Sequence, residues 1–295
     1  MSTPNSSAAS AVSGPDATLG SVPGTVAQAL ILSRYQFRDY LRSRRFILMV
    51  AFVVAIGAIL TVVVAHYRPG GLIDNSNDFY GGLWAGGAAF IILFAGIIFG
   101  GDAIAGEFQN KTGYFLMGLP IKRSSVYVGK YLAALAASVV SVVVFLLIVV
   151  GNAVFYLGTG AFSDPEPLLE SFGLSMLYLL ALLGFVFLFS SLFKTSLYAV
   201  LVVAVLFLIG FSILQGVIIM LAHAEPWYLL SYVNSVIAYP LTGAPPHIVT
   251  VMNPFTHQTS TSYNPTYEAG IGVMLGYFGL TAVGGLALFT REEFT

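Results

Sequence analysis

The sequence predicts an all-α integral membrane protein with six transmembrane helices, an N-terminal amphipathic elbow helix and one charged cytosolic loop that carries a coupling helix. Three observations support this fold class. Of the 295 residues, 57% are hydrophobic and only 8% are charged, whereas a soluble domain has about 25% charged residues. Six apolar stretches are long enough to cross a bilayer. Nearly all Lys and Arg residues fall on one side of the resulting topology.

The predicted chain has a tail, a membrane domain and one long outer segment. Residues 1–24 are rich in Ser, Ala, Gly and Pro and lack the pattern of a signal peptide, so we expect a disordered tail. Residues 25–295 form one transmembrane domain, because each apolar stretch of roughly 20 residues must be a helix in lipid. Its predicted parts are the elbow helix at 25–45, spans at about 46–65, 79–101, 131–157, 171–193, 196–222 and 269–290, the loop at 102–130, and the outer segment at 224–268.

The distribution of basic residues predicts the orientation. Eleven of the twelve Lys and Arg residues precede the first span, join the second to the third or the fourth to the fifth, or follow the sixth. Only Arg68 falls on the opposite face. Since cytoplasmic loops carry the excess of Lys and Arg, we expect a multi-pass protein of the cell membrane with both termini, and therefore the tail, in the cytoplasm.

The elbow helix carries apolar residues at helical spacing beside a basic stripe. The stripe consists of Arg34, Arg38, Arg42 and Arg45. An apolar face can enter the inner leaflet while arginines meet lipid phosphates, which predicts a membrane-surface helix. Two interpretations stay open here. The helix is either a simple positive anchor before the first span, or an elbow that also packs beside the charged loop.

The loop from Gly106 to Lys130 holds five charged residues between two long uncharged stretches. We expect a helix from Asp102 to Met117, a break at Pro120 because proline removes a helical hydrogen bond, and a second helix capped by Ser124 or Ser125. Aromatic side chains lie among these charges, which favours a docking surface for a partner. The alternative is that the aromatics pack against the chain's own elbow helix.

A family resemblance begins in this loop. The residues that carry it are Glu107, Thr112, Gly113, Leu119, Pro120, Arg123, Gly129 and Lys130. Their order at the start of a span resembles the first cytoplasmic loop of ABC-2-type exporter permeases. The six spans, the elbow and the long outer segment resemble that family as well, over roughly residues 25–295. The family often has Gly-Thr where this chain has Thr112-Gly113, so the helix there can end differently.

The resemblance implies a function as the permease subunit of an ATP-driven exporter. Two permeases, either two copies or a copy and a homologue, would pair, with the second and fifth spans as candidates for the seam. Two cytosolic ATPase subunits would bind below and hold ATP and Mg²⁺, while this chain binds no cofactor. The residues implied to couple to the ATPase are Glu107, Phe108, Lys111, Thr112, Gly113, Phe115, Leu119, Pro120, Arg123, Gly129 and Lys130. The substrate is not specified.

Several chemistries are absent from the sequence. It contains no GxxxxGK[ST] phosphate loop, so we expect no ATP hydrolysis by this chain. It has no cysteine and no HExxH motif, and its four histidines fall on the outer side, so no metal site is predicted. The net charge of −1 predicts no nucleic-acid partner. No ionisable residue falls in mid-span, which disfavours a transporter driven by an ion gradient.

A few other residues could have roles inside or beside the membrane. Asn152 and Gln215 lie within spans, where each could line a cavity or make a hydrogen bond between helices. Pairs of glycines four residues apart, Gly96 with Gly100 and Gly272 with Gly276, predict helix-packing faces. Trp227, Tyr228, Tyr232 and Tyr239 suit a membrane interface. A membrane scaffold that anchors a complex without transporting anything is the alternative function.

Overall fold

The computed structural model describes residues 24–67, 75–111, 121–252 and 259–291. Within these residues, six helices are long and apolar enough to cross a membrane, which confirms the predicted fold class. They are Arg44–Tyr67, Ser76–Gln109, Arg123–Phe162, Glu166–Leu192, Ser196–Ala222 and Tyr267–Arg291, and we call them the first to the sixth span. The elbow helix, Thr25–Arg42, precedes them. The predicted tail lies outside the described residues except for Gly24.

Three of the spans combine an α-helix with turns of other helical types. The second contains Ser76–Tyr80, a π-helical turn Gly81–Ala85, Gly86–Gly100 and, after a turn, Ala105–Gln109. The third is one α-helix, Arg123–Leu157, followed by the 3₁₀ turn Gly158–Phe162. The fifth alternates α-helix and π-helix: Ser196–Val205, Leu206–Gly210, Phe211–Val217 and Ile218–Ala222.

The second and fourth spans form the centre of the bundle. Their most apolar windows are 72% and 61% buried, compared with 17–22% for the first, fifth and sixth spans. The fully buried indole of Trp84 donates to the Ser171 hydroxyl across this contact (3.0 Å). A methyl group added at Gly96 would lie 2.5 Å from Leu182 Cδ2. Gly96 and Gly100, which both face the fourth span, therefore let two helices of the same chain approach closely, and this pair is not available to a second copy.

The outer segment forms short helices that pack against the bundle. It contains Leu230–Val233, the 3₁₀ turn Asn234–Ala238 and Tyr239–Thr242, which contact the second, fourth and sixth spans. An antiparallel hairpin follows, with β1 at Ile248–Met252 and β2 at Thr259–Tyr263. The hairpin was not predicted, although Val, Ile and Thr in these stretches favour strands.

The four aromatic residues of this segment divide into two pairs. Trp227 and Tyr228 are about half exposed, as an interfacial position requires. Tyr232 and Tyr239 are only 4% and 7% exposed, so they present little surface to lipid headgroups. Their hydroxyls donate instead to Glu225 Oε1 (3.1 Å) and to the carbonyl oxygen of Pro265 (2.9 Å), because a buried phenol needs a hydrogen-bond partner.

Candidate functional site

The charged loop begins with a short helix that is separated from the membrane part of the second span. Gly101–Ile104 form a turn, and the helix Ala105–Gln109, here called the loop helix, follows it. The hydroxyl oxygen of Ser190 in the fourth span accepts hydrogen bonds from the backbone N–H groups of Ile104 (3.0 Å) and Ala105 (3.1 Å). These are donors that a new helix leaves unpaired, so the fourth span stabilises the start of the loop helix.

This arrangement corrects two details of the prediction. The expected single helix from Asp102 is wrong over its described part, because the turn interrupts it and Lys111 adopts the left-handed conformation (φ 56°) that ends helices. Neither serine caps the third span, which begins at Arg123 without a side-chain cap. The Ser125 hydroxyl donates instead to the carbonyl oxygen of Thr25 in the elbow helix (3.0 Å).

A buried ion pair joins the loop helix to the third span. The Lys130 side chain is only 5% exposed, and its ammonium group donates to Glu107 Oε1 (2.5 Å) and to the carbonyl oxygen of Ala103 (2.9 Å). A buried charge is tolerated when it is paired and hydrogen-bonded. Two residues of the family motif, 23 positions apart, are therefore partners within one chain, and Glu107 is already engaged before any docking.

A second set of polar contacts connects the elbow helix and the first span to the same place. Arg45 forms an ion pair with Asp102 in the turn before the loop helix. The Tyr40 hydroxyl donates to the carbonyl oxygen of Phe99 (3.0 Å), and burial, with Asp102 nearby, raises the pKa of Tyr40 above its ordinary value. A polar cavity of about 140 Å³ lies between these groups and the Glu107–Lys130 pair.

Further bonds connect the loop to the fifth and sixth spans. The side-chain oxygen of Gln109 accepts from the backbone N–H of Ser196 at the start of the fifth span (2.9 Å). Arg123 donates to the carbonyl oxygen of Thr290 near the end of the sixth span (3.2 Å). Taken together, the turn at 101–104, the loop helix and the start of the third span contact the first, fourth, fifth and sixth spans at this end. A force on the loop helix would therefore reach several spans at once.

The elbow helix packs along the start of the third span. Gly129 lies against it so closely that an added Cβ would be 2.9 Å from the carbonyl oxygen of Ala29. The backbone N–H of Lys122 donates to the Gln28 side chain (3.2 Å). The elbow helix thus contacts the part of the loop that begins at residue 121, where the described residues resume. The side chains of Arg34, Arg38 and Arg42 are exposed, whereas Arg45 is held by Asp102.

The described residues place six of the eleven predicted coupling residues. Glu107, Gly129 and Lys130 are engaged inside the chain, Arg123 contacts the sixth span, and Lys111 is exposed at the end of the loop helix. Phe108 is partly buried and packs against the chain's own core. Thr112, Gly113, Phe115, Leu119 and Pro120 lie outside the described residues.

Comparison with known families decides the class of the protein. A model of the family described as "ABC-2 family transporter protein" matches residues 30–293. The chain belongs to this ABC-2 family. A search of curated proteins finds no match. Membership makes the chain a transmembrane component of an ABC transporter, and this component is not itself the ATPase.

The ABC-2 permease also contains a polar cavity within the membrane. A space of about 220 Å³ lies between the second, fourth and fifth spans and the outer segment, and Gln215, Ser212, Ser231 and Asn234 contribute polar groups to it. The Ser231 hydroxyl is buried and has no hydrogen-bond partner within the described structure. Asn152 is not among the residues that line this cavity. Its side-chain amide donates to the carbonyl oxygen of Ile148 in its own helix (2.9 Å).

Some residues of the site were missed by sequence reasoning. Asp102 and Ser190 were not predicted as site residues, yet they hold the loop helix to the first and fourth spans. A signal for Asp102 existed, since it is an acidic residue at the end of an apolar stretch opposite a basic stripe. Ser190 gave no comparable signal. Among the described residues, no group of three His, Asp or Glu side chains could hold a metal ion.

Proposed function

We propose that this chain is the membrane subunit of an ATP-driven exporter in the cell membrane, with both termini in the cytoplasm. It pairs with a second copy or a homologous permease, and two cytosolic ATPase subunits that bind ATP and Mg²⁺ dock below it. The observation that supports this proposal most is the loop helix with the turn before it, which are connected by polar contacts to the first, third, fourth and fifth spans. A docking element needs such connections to transmit motion.

The exposed end of the loop helix is the proposed point of contact with the ATPase. Gln109, Asn110 and Lys111 are exposed there, while Phe108 beneath them is partly buried. Interface energy is concentrated in a few residues that become buried on binding. The aromatic residues of the following segment, with Phe115 among the predicted anchors, would complete this surface. Glu107 and Lys130 would contribute by holding the loop helix in position.

The cavity beside Gln215 is the proposed contact for the exported substrate. Its lining combines amide and hydroxyl groups with aromatic side chains, including Phe90 and Phe207. Polar groups at this depth are costly unless they are paired, so the amide and hydroxyl groups of the lining, among which the Ser231 hydroxyl has no partner in the described residues, favour a ligand that makes hydrogen bonds. The exposed face of the fifth span lies next to this cavity, and we propose that face as the seam with the second permease.

Reversing the charge of Lys111 is expected to weaken ATPase binding about tenfold, or about 1.4 kcal/mol. The change Lys111→Glu alters an exposed side chain and leaves the ion pair beneath it intact. The measurement is co-purification of the cytosolic ATPase with the tagged full chain, together with the ATP turnover of the complex. Arg291→Glu is the matched control, because this residue is also exposed but lies at the end of the sixth span.

The same experiment separates transport from the scaffold function. An ATPase that binds the wild type and changes its turnover, with a loss only in Lys111→Glu, supports the exporter. If no ATPase binds, or if bound ATPase keeps the turnover of the free subunit, the chain acts as a scaffold. Equal binding by the two variants would show that the ATPase docks somewhere other than the loop helix.

Labelling of single cysteines is expected to place the segment between the fourth and fifth spans in the cytoplasm, the side on which a six-span topology also puts the charged loop and both termini. The chain has no cysteine, so each introduced thiol is unique. A reagent that does not cross membranes should label Thr159→Cys in intact cells, and Lys194→Cys only after the cells are opened. Both positions are exposed at opposite ends of neighbouring spans. The reverse labelling pattern would place both termini outside the cytoplasm.

A further inference from the structure

A long apolar groove runs along the outer half of the sixth span. Its volume is about 400 Å³, within the range of about 300–1,000 Å³ that is common for small-molecule sites. Trp227, Tyr228 and Tyr277 form its walls, and Ala269, Gly272 and Gly276 lie along its floor. This groove is separate from the loop helix and from the cavity beside Gln215.

The glycines of the floor have no packing role within the described chain. A Cβ added at Gly272 or Gly276 would meet nothing within 4 Å. On the packed face of the same helix, by contrast, a Cβ at Gly270 would lie 2.5 Å from Val236. Glycine within a helix costs about 1 kcal/mol relative to alanine. At Gly270 close packing accounts for that cost, whereas at the other two positions the missing side chains leave space for something outside the chain.

The dimensions and polarity of the groove fit one hydrocarbon chain. Its lining extends from Ala269 to Leu280, about 17 Å along a helix that rises 1.5 Å per residue. One leaflet contributes about half of the 30 Å hydrocarbon core. Among the described lining residues, only two tyrosines carry hydroxyl groups, and the Tyr277 hydroxyl already donates to the carbonyl oxygen of Tyr228 (3.0 Å).

A helix from a second copy fits this surface less well than a lipid does. Such a helix would cross the whole membrane, but the small-residue floor ends halfway along the span. Leu280 at the inner end of the groove and Val283 beyond it project outward and are 79% and 67% exposed. A flexible chain from the outer leaflet needs the groove only as far as the middle of the bilayer.

The outer end of the groove indicates the type of headgroup. Trp227 and Tyr228 are half exposed there, as expected for side chains at the level of the headgroups. The exposed carboxylate of Glu268 is adjacent to Ala269 in the chain, and none of the described residues that line the groove is basic. We propose that the groove binds one acyl chain of an outer-leaflet phospholipid whose zwitterionic headgroup carries a positively charged ammonium group, as in phosphatidylcholine. A carboxylate attracts that ammonium group and repels a net anionic headgroup.

The test uses the full chain in phosphatidylcholine vesicles that contain a small fraction of phosphatidylcholine with a photoreactive group in one acyl chain. Adducts are located by mass spectrometry. We expect labelling to be concentrated on groove residues such as Val273. Gly276→Leu fills the groove and should lower that labelling about tenfold, equivalent to about 1.4 kcal/mol of lost affinity. Gly279→Leu should leave it unchanged, because it adds the same side chain to open space outside the groove.

Three outcomes would overturn the proposal. Labelling spread evenly over the exposed spans, or equal labelling of the two leucine variants, would show that the groove does not select a lipid. Stronger labelling by the matched anionic phosphatidylglycerol would contradict the proposed headgroup. Disulfide formation between two copies carrying Gly276→Cys, with no lipid labelling of the groove, would assign the groove to a second copy. Because the readout is lipid contact, none of these outcomes depends on ATPase binding or transport.

Discussion

Replacing Glu107 by glutamine should destabilise the protein by about 3–5 kcal/mol, because it leaves the buried Lys130 ammonium without its counter-ion. Lys130 is 5% exposed, and its second bond, to the carbonyl oxygen of Ala103, cannot neutralise its charge. The measurement is the free energy of unfolding in mixed micelles titrated with sodium dodecyl sulfate. The double variant Glu107→Gln with Lys130→Met should recover most of the loss, since removal of both charges leaves none unpaired.

Asp102→Asn is the matched control for this prediction. It breaks the neighbouring ion pair with Arg45, whose side chain is 54% exposed and can return to water. Such pairs contribute about 0–1 kcal/mol. If Glu107→Gln costs no more than Asp102→Asn, the Glu107–Lys130 pair is not a structural element, and the carboxylate is free to bind the ATPase as the family resemblance first implied.

Gly129→Leu should separate the elbow helix from the third span and reduce ATPase coupling. Even a Cβ at this position would lie 2.9 Å from the backbone oxygen of Ala29 and 3.1 Å from Leu32. Backbone cannot move aside as a flexible side chain can, and overpacking of this kind costs about 1–3 kcal/mol. We expect the elbow helix to become sensitive to limited proteolysis and ATP turnover to fall toward the value of the ATPase alone.

Gly151→Leu provides the comparison for this variant. It introduces the same side chain into the same helix, where an added Cβ meets nothing within 4 Å. It should keep the proteolysis pattern and the ATP turnover of the wild type. Normal coupling in Gly129→Leu, despite a released elbow helix, would show that the elbow is only a membrane anchor. An unchanged proteolysis pattern would show that the contact with Ala29 can relax.

The candidate site was only partly predictable from the sequence. The unusual density of charge at 106–130 predicts a site in this region, and Glu107 and Lys130 belong to the predicted coupling residues. Their pairing inside the chain was not predicted, because ion pairs between residues 23 or more positions apart depend on which spans are neighbours. The contacts with Asp102 and Ser190 were missed for the same reason.

The aromatic residues of the outer segment and the paired glycines were also only partly predictable from the sequence. Tyr232 and Trp227 are five positions apart and equally suited to a membrane interface, yet one is buried and the other is half exposed. Gly96 and Gly272 both begin a pair of glycines four residues apart. The first packs on the fourth span, and the second opens into an empty groove. Local pattern does not distinguish a covered face from an uncovered one.

By itself, the sequence determined that this is a six-span, all-α membrane protein, because the energy of a residue in the bilayer depends mainly on its own polarity and on backbone bonds within its own segment. That energy depends on the local sequence, so the composition and length of each segment were sufficient to predict the fold class. The tertiary structure alone decided which charges are paired, where the loop helix begins and which glycine face stays open. These features depend on contacts between spans that are distant in sequence, such as the contact that brings Ser190 to the N–H groups of Ile104 and Ala105.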